Sequence, residues 1–203
     1  FRGFEAYWEI PAEEETAIEG RWVEGPGARL FDALQAALGP LPVIAENLGV
    51  ITPEVEALRD DFGFPGMKIL QFAFDSDAAN PYLPHNYRRN CVVYTGTHDN
   101  ATTLGWWQGL DTAQQGRVET YLGKSPADIA WDLIRLAMAS VSRLCIFPCQ
   151  DLLGLGNNAR FNLPGQPAGN WNWRLNPGQL NSQLAERLSN LCSVYNRCHP
   201  ACK

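Results

Sequence analysis

Apolar, β-branched runs alternate along this chain with stretches of helical periodicity, and that alternation restricts the fold more than any other feature. The runs are residues 41–46 (LPVIAE), 67–74 (MKILQFAF), 91–100 (CVVYTGTHDN) and 144–151 (LCIFPCQD). Short runs without polar alternation predict strands buried on both faces. Between them lie helix patterns. Residues 28–38 carry Leu30, Phe31, Leu34 and Leu38 at helical spacing, and Gly39-Pro40 stops them. Thr52 stands as N-cap before Pro53, with Val55, Leu58 and Phe62 facing inward and Gly63 closing the helix. Further helices are predicted over 112–122, 127–143 (prefaced by Ser125-Pro126) and 181–195. Strands joined through helices imply parallel pairing with right-handed crossovers, hence an α/β fold.

Three of the four runs end in polar groups: Glu46-Asn47, His98-Asp99-Asn100 and Gln150-Asp151. In parallel α/β folds the carboxyl ends of the strands are where ligands bind. For His98-Asp99-Asn100 a second reading stands beside that one: an Asx-type turn in which Asp99 and Asn100 bond nearby backbone. Glu46 and Asp99, at the ends of two strands, are expected across a single pocket. Paired carboxylates suit glycoside chemistry, which needs an acid/base and an anion beside an oxocarbenium-like centre. Phe72, Trp106, Trp107, Trp171 and Trp173 offer apolar faces for sugar C–H groups, although Trp106, Trp107 and Trp131 are read first as packing residues.

A formal charge of −6 with no basic cluster argues against nucleic acid or an anionic membrane as partner. No apolar run approaches the roughly 18 residues of a membrane helix. No signal peptide opens the chain, so a cytoplasmic location is expected. The six cysteines do not form a secreted disulfide pattern. Cys91, Cys145 and Cys149 sit in apolar runs as small hydrophobes. Cys192, Cys198, His199 and Cys202 invite a zinc reading, but the paired C-x₂-C spacing of structural zinc sites is missing, and free thiols at a frayed helix end are the plainer expectation.

The segments FRGFEAYWEIP (1–11), EGRWVEGPG (19–27), VIAENLGVITPEVEALRDDFGFPGMKILQFAF (43–74), NPYLPHNY (80–87), VVYTGTHDN (92–100), TLGWW (103–107) and NLPGQPAGNWNWRL (162–175) together resemble the amylomaltases, or 4-α-glucanotransferases. The resemblance implies a (β/α)₈ TIM barrel of the α/β class, with residues 1–197 supplying roughly its C-terminal half and 198–203 a tail. Such a barrel typically needs about 250 residues, so four or five strands are about half of one. It implies a retaining transfer of α-1,4-glucan segments between maltooligosaccharides, with no metal or organic cofactor.

By this resemblance Glu46 in AENLG matches the general acid/base and Asp99 in GTHDN the transition-state-stabilising aspartate. His98 matches a ligand of sugar hydroxyls, Phe72 an acceptor-side aromatic, and Asn162 a substrate-loop asparagine. Asn47, which stands where family members carry Asn or Asp, is expected with His98, Phe72 and Asn162 among the substrate-binding residues. The family's nucleophilic aspartate belongs to an Arg-Ile-Asp-His segment just before FRGFEAYW, so this chain is expected to begin after it and to need the N-terminal half of the barrel as partner. Alone, the fragment is expected to be inactive and poorly soluble; an inactive α-glucan-binding piece is the alternative.

Overall fold

Phenylalanines distant in sequence converge on Phe31, which is 4% exposed, and so build the core of the first of two units. Phe1, Phe4, Phe62 and Phe64 all lie with ring centroids 5.2–5.6 Å from Phe31. Ala45, Leu58, Leu34, Leu41 and Val43 complete the cluster. The computed structural model describes residues 1–198. The first unit is Phe1–Met67 and the second begins at Lys68.

In the first unit β1 (Ala6–Glu9) pairs antiparallel with β2 (Arg21–Glu24). Trp8 meets Trp22 edge to face across this hairpin, and Glu9 bonds Arg21 at 2.7 Å. Helix α1 (Ala28–Leu38) turns Phe31 into the core and stops at Gly39, whose positive φ of 77° a residue with a Cβ rarely adopts. Helix α2 (Pro53–Asp61) starts with proline at its first position and buries Val55 and Leu58. The strand expected over 41–46 is reduced to a single parallel bridge, Ala45 with Gly66. The unit boundary falls within β3 (Gly66–Ile69).

The second unit carries a sheet of order β3-β4-β5, where β4 is Cys91–Tyr94 and β5 is Leu144–Ile146. β4 and β5 pair in parallel, Val93 opposite Cys145. Cys91, Val92 and Val93 are all buried, as expected of a strand covered on both faces. The crossover runs through α3 (Thr103–Gly109), α4 (Thr112–Leu122) and α5 (Ile129–Ala139). A box in which Asp111 and Gln114 exchange hydrogen bonds caps α4. Helix α5 buries two faces: Ile129, Leu133 and Ala137 join Val93 and Val118 in one cluster, while Trp131, Ile134 and Met138 meet Leu191 in another. That double burial accounts for a helix apolar nearly all round. Leu191 belongs to α7 (Ser182–Val194), which follows the short α6 (Cys149–Leu152) and a long loop. Leu144 and Ile146 on edge strand β5 are exposed.

Three sequence expectations were too long, the first being the helix over 127–143, which is helical only over Ile129–Ala139. The run 67–74 is strand only to Ile69, then tightens into a 3₁₀ turn, Leu70–Phe72. The run 144–151 leaves the strand at Ile146 and enters α6, so Gln150 and Asp151 are helical rather than at a strand tip. The hairpin β1–β2 and helix α3 were not anticipated. Trp106 and Trp107 pack against the core and Trp131 is buried in it, as read from the sequence. Cys198 is free, while His199 and Cys202 of the tail lie outside the described residues.

Candidate functional site

Beyond β4 the chain leaves the sheet through Thr95 and Gly96. Any Cβ on Gly96 would lie 2.6 Å from Gln71 Nε2, so glycine lets the backbone pass close to that side chain. Gln71 in turn donates to the Ala101 carbonyl at 2.9 Å. The turn is closed locally by Asn100, whose Oδ1 accepts from both Thr97 N–H and Thr97 Oγ1 at 2.8 Å. Asn100 thus follows the Asx-turn reading. Its neighbour does not. The Asp99 side chain is 49% exposed, accepts from Asn162 Nδ2 at 2.5 Å and faces His98 Nε2 at 3.4 Å, all through Oδ1. Oδ2 receives no hydrogen bond among the described residues.

Asp99 is held from behind by the loop 160–162. Arg160 Nη2 donates to the Asp99 main-chain carbonyl at 2.6 Å, and its Nε to the Asn162 carbonyl at 2.8 Å. Asn162 N–H donates to His98 O at 3.1 Å. Between those two side chains Phe161 packs edge-on against Trp171, which also lies 5.0 Å from the His98 ring. His98, Asp99 and Asn162, all named from sequence, are therefore brought together, with Arg160 and Trp171 beside them. The arrangement offers an anionic acceptor, an imidazole, an amide and an indole at one exposed surface. It suits a polyhydroxylated ligand with an apolar face.

Asp151 has a different task. It is 1% exposed, and its carboxylate accepts from Thr95 Oγ1 (2.5 Å), Thr103 Oγ1 (2.7 Å) and Thr103 N–H (2.7 Å). Burial pushes its pKa above the ordinary carboxylate value, and the donors from Thr95 and Thr103 oppose that shift. The residue bolts the exit of β4 to the start of α3, so both ends of the turn bearing His98 and Asp99 are fixed.

In the first unit Glu46 sits between two buried residues, Ala45 and Asn47. Ala45 N–H donates to Pro65 O at 2.9 Å. Asn47 Oδ1 accepts from Met67 N–H at 2.8 Å, and Nδ2 donates to Glu56 Oε1 at 2.7 Å. Glu56 also pairs with the buried Arg59 at 2.8 Å. With 45 and 47 anchored inward, the intervening side chain of Glu46 is directed outward and is exposed. Asn47 presents both ends of its amide to the protein. Phe72 is half-buried in the second unit, edge-on to Tyr82 at 5.5 Å, on the 3₁₀ turn whose carbonyl at Phe72 accepts from Asn80.

Comparison with known proteins agrees with the resemblance. A family model described as 4-alpha-glucanotransferase matches residues 1–181. A 4-alpha-glucanotransferase of Synechocystis sp. is 58% identical over 97% of this chain and 40% of its own length. One from Thermus thermophilus is 53% identical over 97% of this chain and 41% of its own. The solved amylomaltase of Streptococcus agalactiae in complex with acarbose superposes with a TM-score of 0.92 at 39% identity, over 98% of this chain and 41% of that one. The chain thus spans about two fifths of the length of the relatives it matches, and it shares the amylomaltase fold over the matched residues.

Proposed function

The chain belongs to the 4-alpha-glucanotransferase family, and on that premise we propose that it forms the C-terminal part of a (β/α)₈ barrel enzyme that transfers α-1,4-glucan segments. The donor is a maltooligosaccharide and the acceptor the 4-hydroxyl of another glucan or of glucose. The observation that carries this reading is Asp99: a carboxylate gripped by Asn162 through one oxygen, with its main chain pinned by Arg160, yet half open to solvent. A charge with a purely structural duty has its acceptors filled, as Asp151 does. Asp99 is fixed in position and left open, which is what an electrostatic partner for a developing cation requires.

In this proposal Glu46 is the general acid/base. It gives a proton to the leaving 4-oxygen while a carboxylate N-terminal to Phe1 attacks the anomeric carbon, forming a glycosyl ester. Glu46 then takes the proton from the acceptor 4-hydroxyl as that oxygen displaces the ester, restoring the original anomeric configuration. Asp99 favours the cationic transition state, and His98 and Asn162 hold sugar hydroxyls. Phe72 offers an apolar face on the acceptor side, and Asn47 anchors the backbone behind Glu46. The exposed apolar side chains of edge strand β5 support the half-barrel reading, since an open parallel sheet needs a cover. No helix among the described residues is long and apolar enough to cross a membrane. We assign the cytoplasm as its compartment, in keeping with six cysteines that follow no secreted disulfide pattern.

The test is Glu46→Gln in an intact enzyme carrying this chain. Glucose release from maltotriose should fall about 100-fold or more, as expected on losing an acid/base. Maltotriose binding, measured by calorimetry, should stay within a few-fold. Near-normal turnover in this variant would refute the assignment.

A further inference from the structure

We infer that Trp171 is a sugar-stacking platform beside Asp99, held in place by a strained backbone; the inference rests on the α-glucan reading above and deepens it. Trp171 has φ of +62°, in the left-handed region that glycine accepts and a bulky residue avoids. Such strain persists where the surroundings over-determine the conformation, and it gathers at ligand-binding positions. Here the restraints are explicit. Trp171 N–H donates to Phe161 O at 2.8 Å, and Arg174 Nη1 donates to Trp171 O at 2.7 Å. The preceding Asn170 accepts from Leu163 N–H at 2.9 Å through its side chain and donates to the Gln166 carbonyl at 3.0 Å.

One of these bonds, from Trp171 N–H to Phe161 O, runs to the loop that holds Asp99. Phe161 both receives the Trp171 N–H and packs its ring edge-on against the indole, centroids 4.9 Å apart. On either side of Phe161, Arg160 and Asn162 bond Asp99. The indole is therefore fixed relative to the Asp99 carboxylate through one residue. Despite this anchoring Trp171 remains 50% exposed. Core packing does not explain a strained backbone that leaves half of an indole in water. The chemistry within reach identifies the ligand class. Asp99 accepts from hydroxyls, His98 exchanges hydrogen bonds with them, and the indole covers the C–H face of a pyranose ring. The occupant is one glucosyl unit of an α-glucan.

Trp171→Gly deletes the ring and at the same time removes the left-handed strain, so the two roles separate. The background is an intact enzyme carrying this chain, and Trp171→Phe serves as the conservative variant. Trp171→Gly should keep or raise the thermal midpoint while weakening maltotriose binding about tenfold, with Trp171→Phe recovering most of that loss. A Trp171→Gly protein that binds maltotriose within twofold of the parent overturns the inference. So does one whose midpoint falls in step with binding, because that marks a packing residue. Glu46→Gln is assayed in parallel. If it abolishes turnover while Trp171→Gly binds normally, only the platform is refuted; if it leaves turnover intact, the transferase reading fails whatever Trp171 does.

Discussion

Replacing Asp151 tests whether the turn bearing His98 and Asp99 is bolted from below. Its carboxylate accepts from Thr103 N–H at 2.7 Å, Thr103 Oγ1 at 2.7 Å and Thr95 Oγ1 at 2.5 Å, at a site 1% exposed. Asp151→Ala strands all three donors and leaves a small void. The hydroxyls rotate and recover in part, whereas the buried N–H does not. An unmet buried donor costs about 1–3 kcal/mol, so the total loss should be about 3–5 kcal/mol. In urea that displaces the midpoint by about 2 M for a typical slope. Asp151→Asn keeps an acceptor for the N–H and turns its amide toward the hydroxyl oxygens, so its cost should be about 1 kcal/mol. The pH dependence has a definite sign. Burial raises the folded-state pKa of Asp151, so its contribution is complete below the unfolded value and is lost as pH rises through the folded value. Asparagine does not titrate. The stability advantage of the parent over Asp151→Asn should therefore shrink as pH rises, which urea titrations of both proteins across the acidic range measure directly. Asp151→Ala within 1 kcal/mol of the parent refutes the bolt. An advantage that grows with pH refutes the raised pKa.

Two further substitutions probe the supports of the proposed catalytic carboxylates. Arg160→Ala frees the Asp99 carbonyl and the Asn162 carbonyl, held at 2.6 and 2.8 Å; kcat on maltotriose should fall about tenfold with little change in KM, as for a lost transition-state interaction. Millimolar guanidinium should restore part of it, and an unchanged kcat or an absence of rescue argues against a positioning role. In the first unit, Gly66→Ala puts a Cβ 2.5 Å from Arg59 Nη1 and 2.8 Å from Asn47 Oδ1, displacing the amide that anchors the backbone next to Glu46. Overpacking of this kind costs about 1–3 kcal/mol, so the melting temperature should drop by several degrees, and an unaltered melting curve would show that the site has slack.

The elements legible from sequence were those with chemical punctuation. Helices α1 and α4 end as read because Gly39 and Gly123 supply left-handed or otherwise glycine-only termini, with φ of 77° and 70°. Helix α5 was read too long, over 127–143, because apolar spacing continues past the point where Ser140 Oγ bonds the Ala137 carbonyl and the helix stops. The run 67–74 looked like one strand because periodicity does not separate a buried strand from a buried 3₁₀ turn. The β1–β2 hairpin carries no tight-turn signal; a long acidic loop joins its strands, and their aromatics are mostly exposed.

The site divides along a sharper line. Asn100 and Asp99 are neighbours of similar chemistry, yet Asn100 is occupied by Thr97, three residues away, and Asp99 by Asn162, 63 residues away. Local satisfaction can be read from a sequence, since an Asx turn needs only adjacent donors. Long-range satisfaction cannot, and so Arg160 carried no signal in the sequence although it pins the Asp99 backbone. The same division separates polar groups that the protein satisfies fully from the one proposed to meet a ligand. Asn47, Asn100 and Asp151 have their acceptor oxygens filled by protein donors, whereas Asp99 is anchored through one oxygen and open at the other. Trp171 departs from local preference in the same loop cluster, with a backbone that a glycine would adopt more easily. Local rules broken without a gain in packing concentrate where a ligand supplies the compensation. Both departures in the second unit, the half-open carboxylate and the left-handed tryptophan, are tied to the single segment 160–162, and that coincidence is the reason the sugar-binding surface is proposed there rather than at the exposed hairpin aromatics.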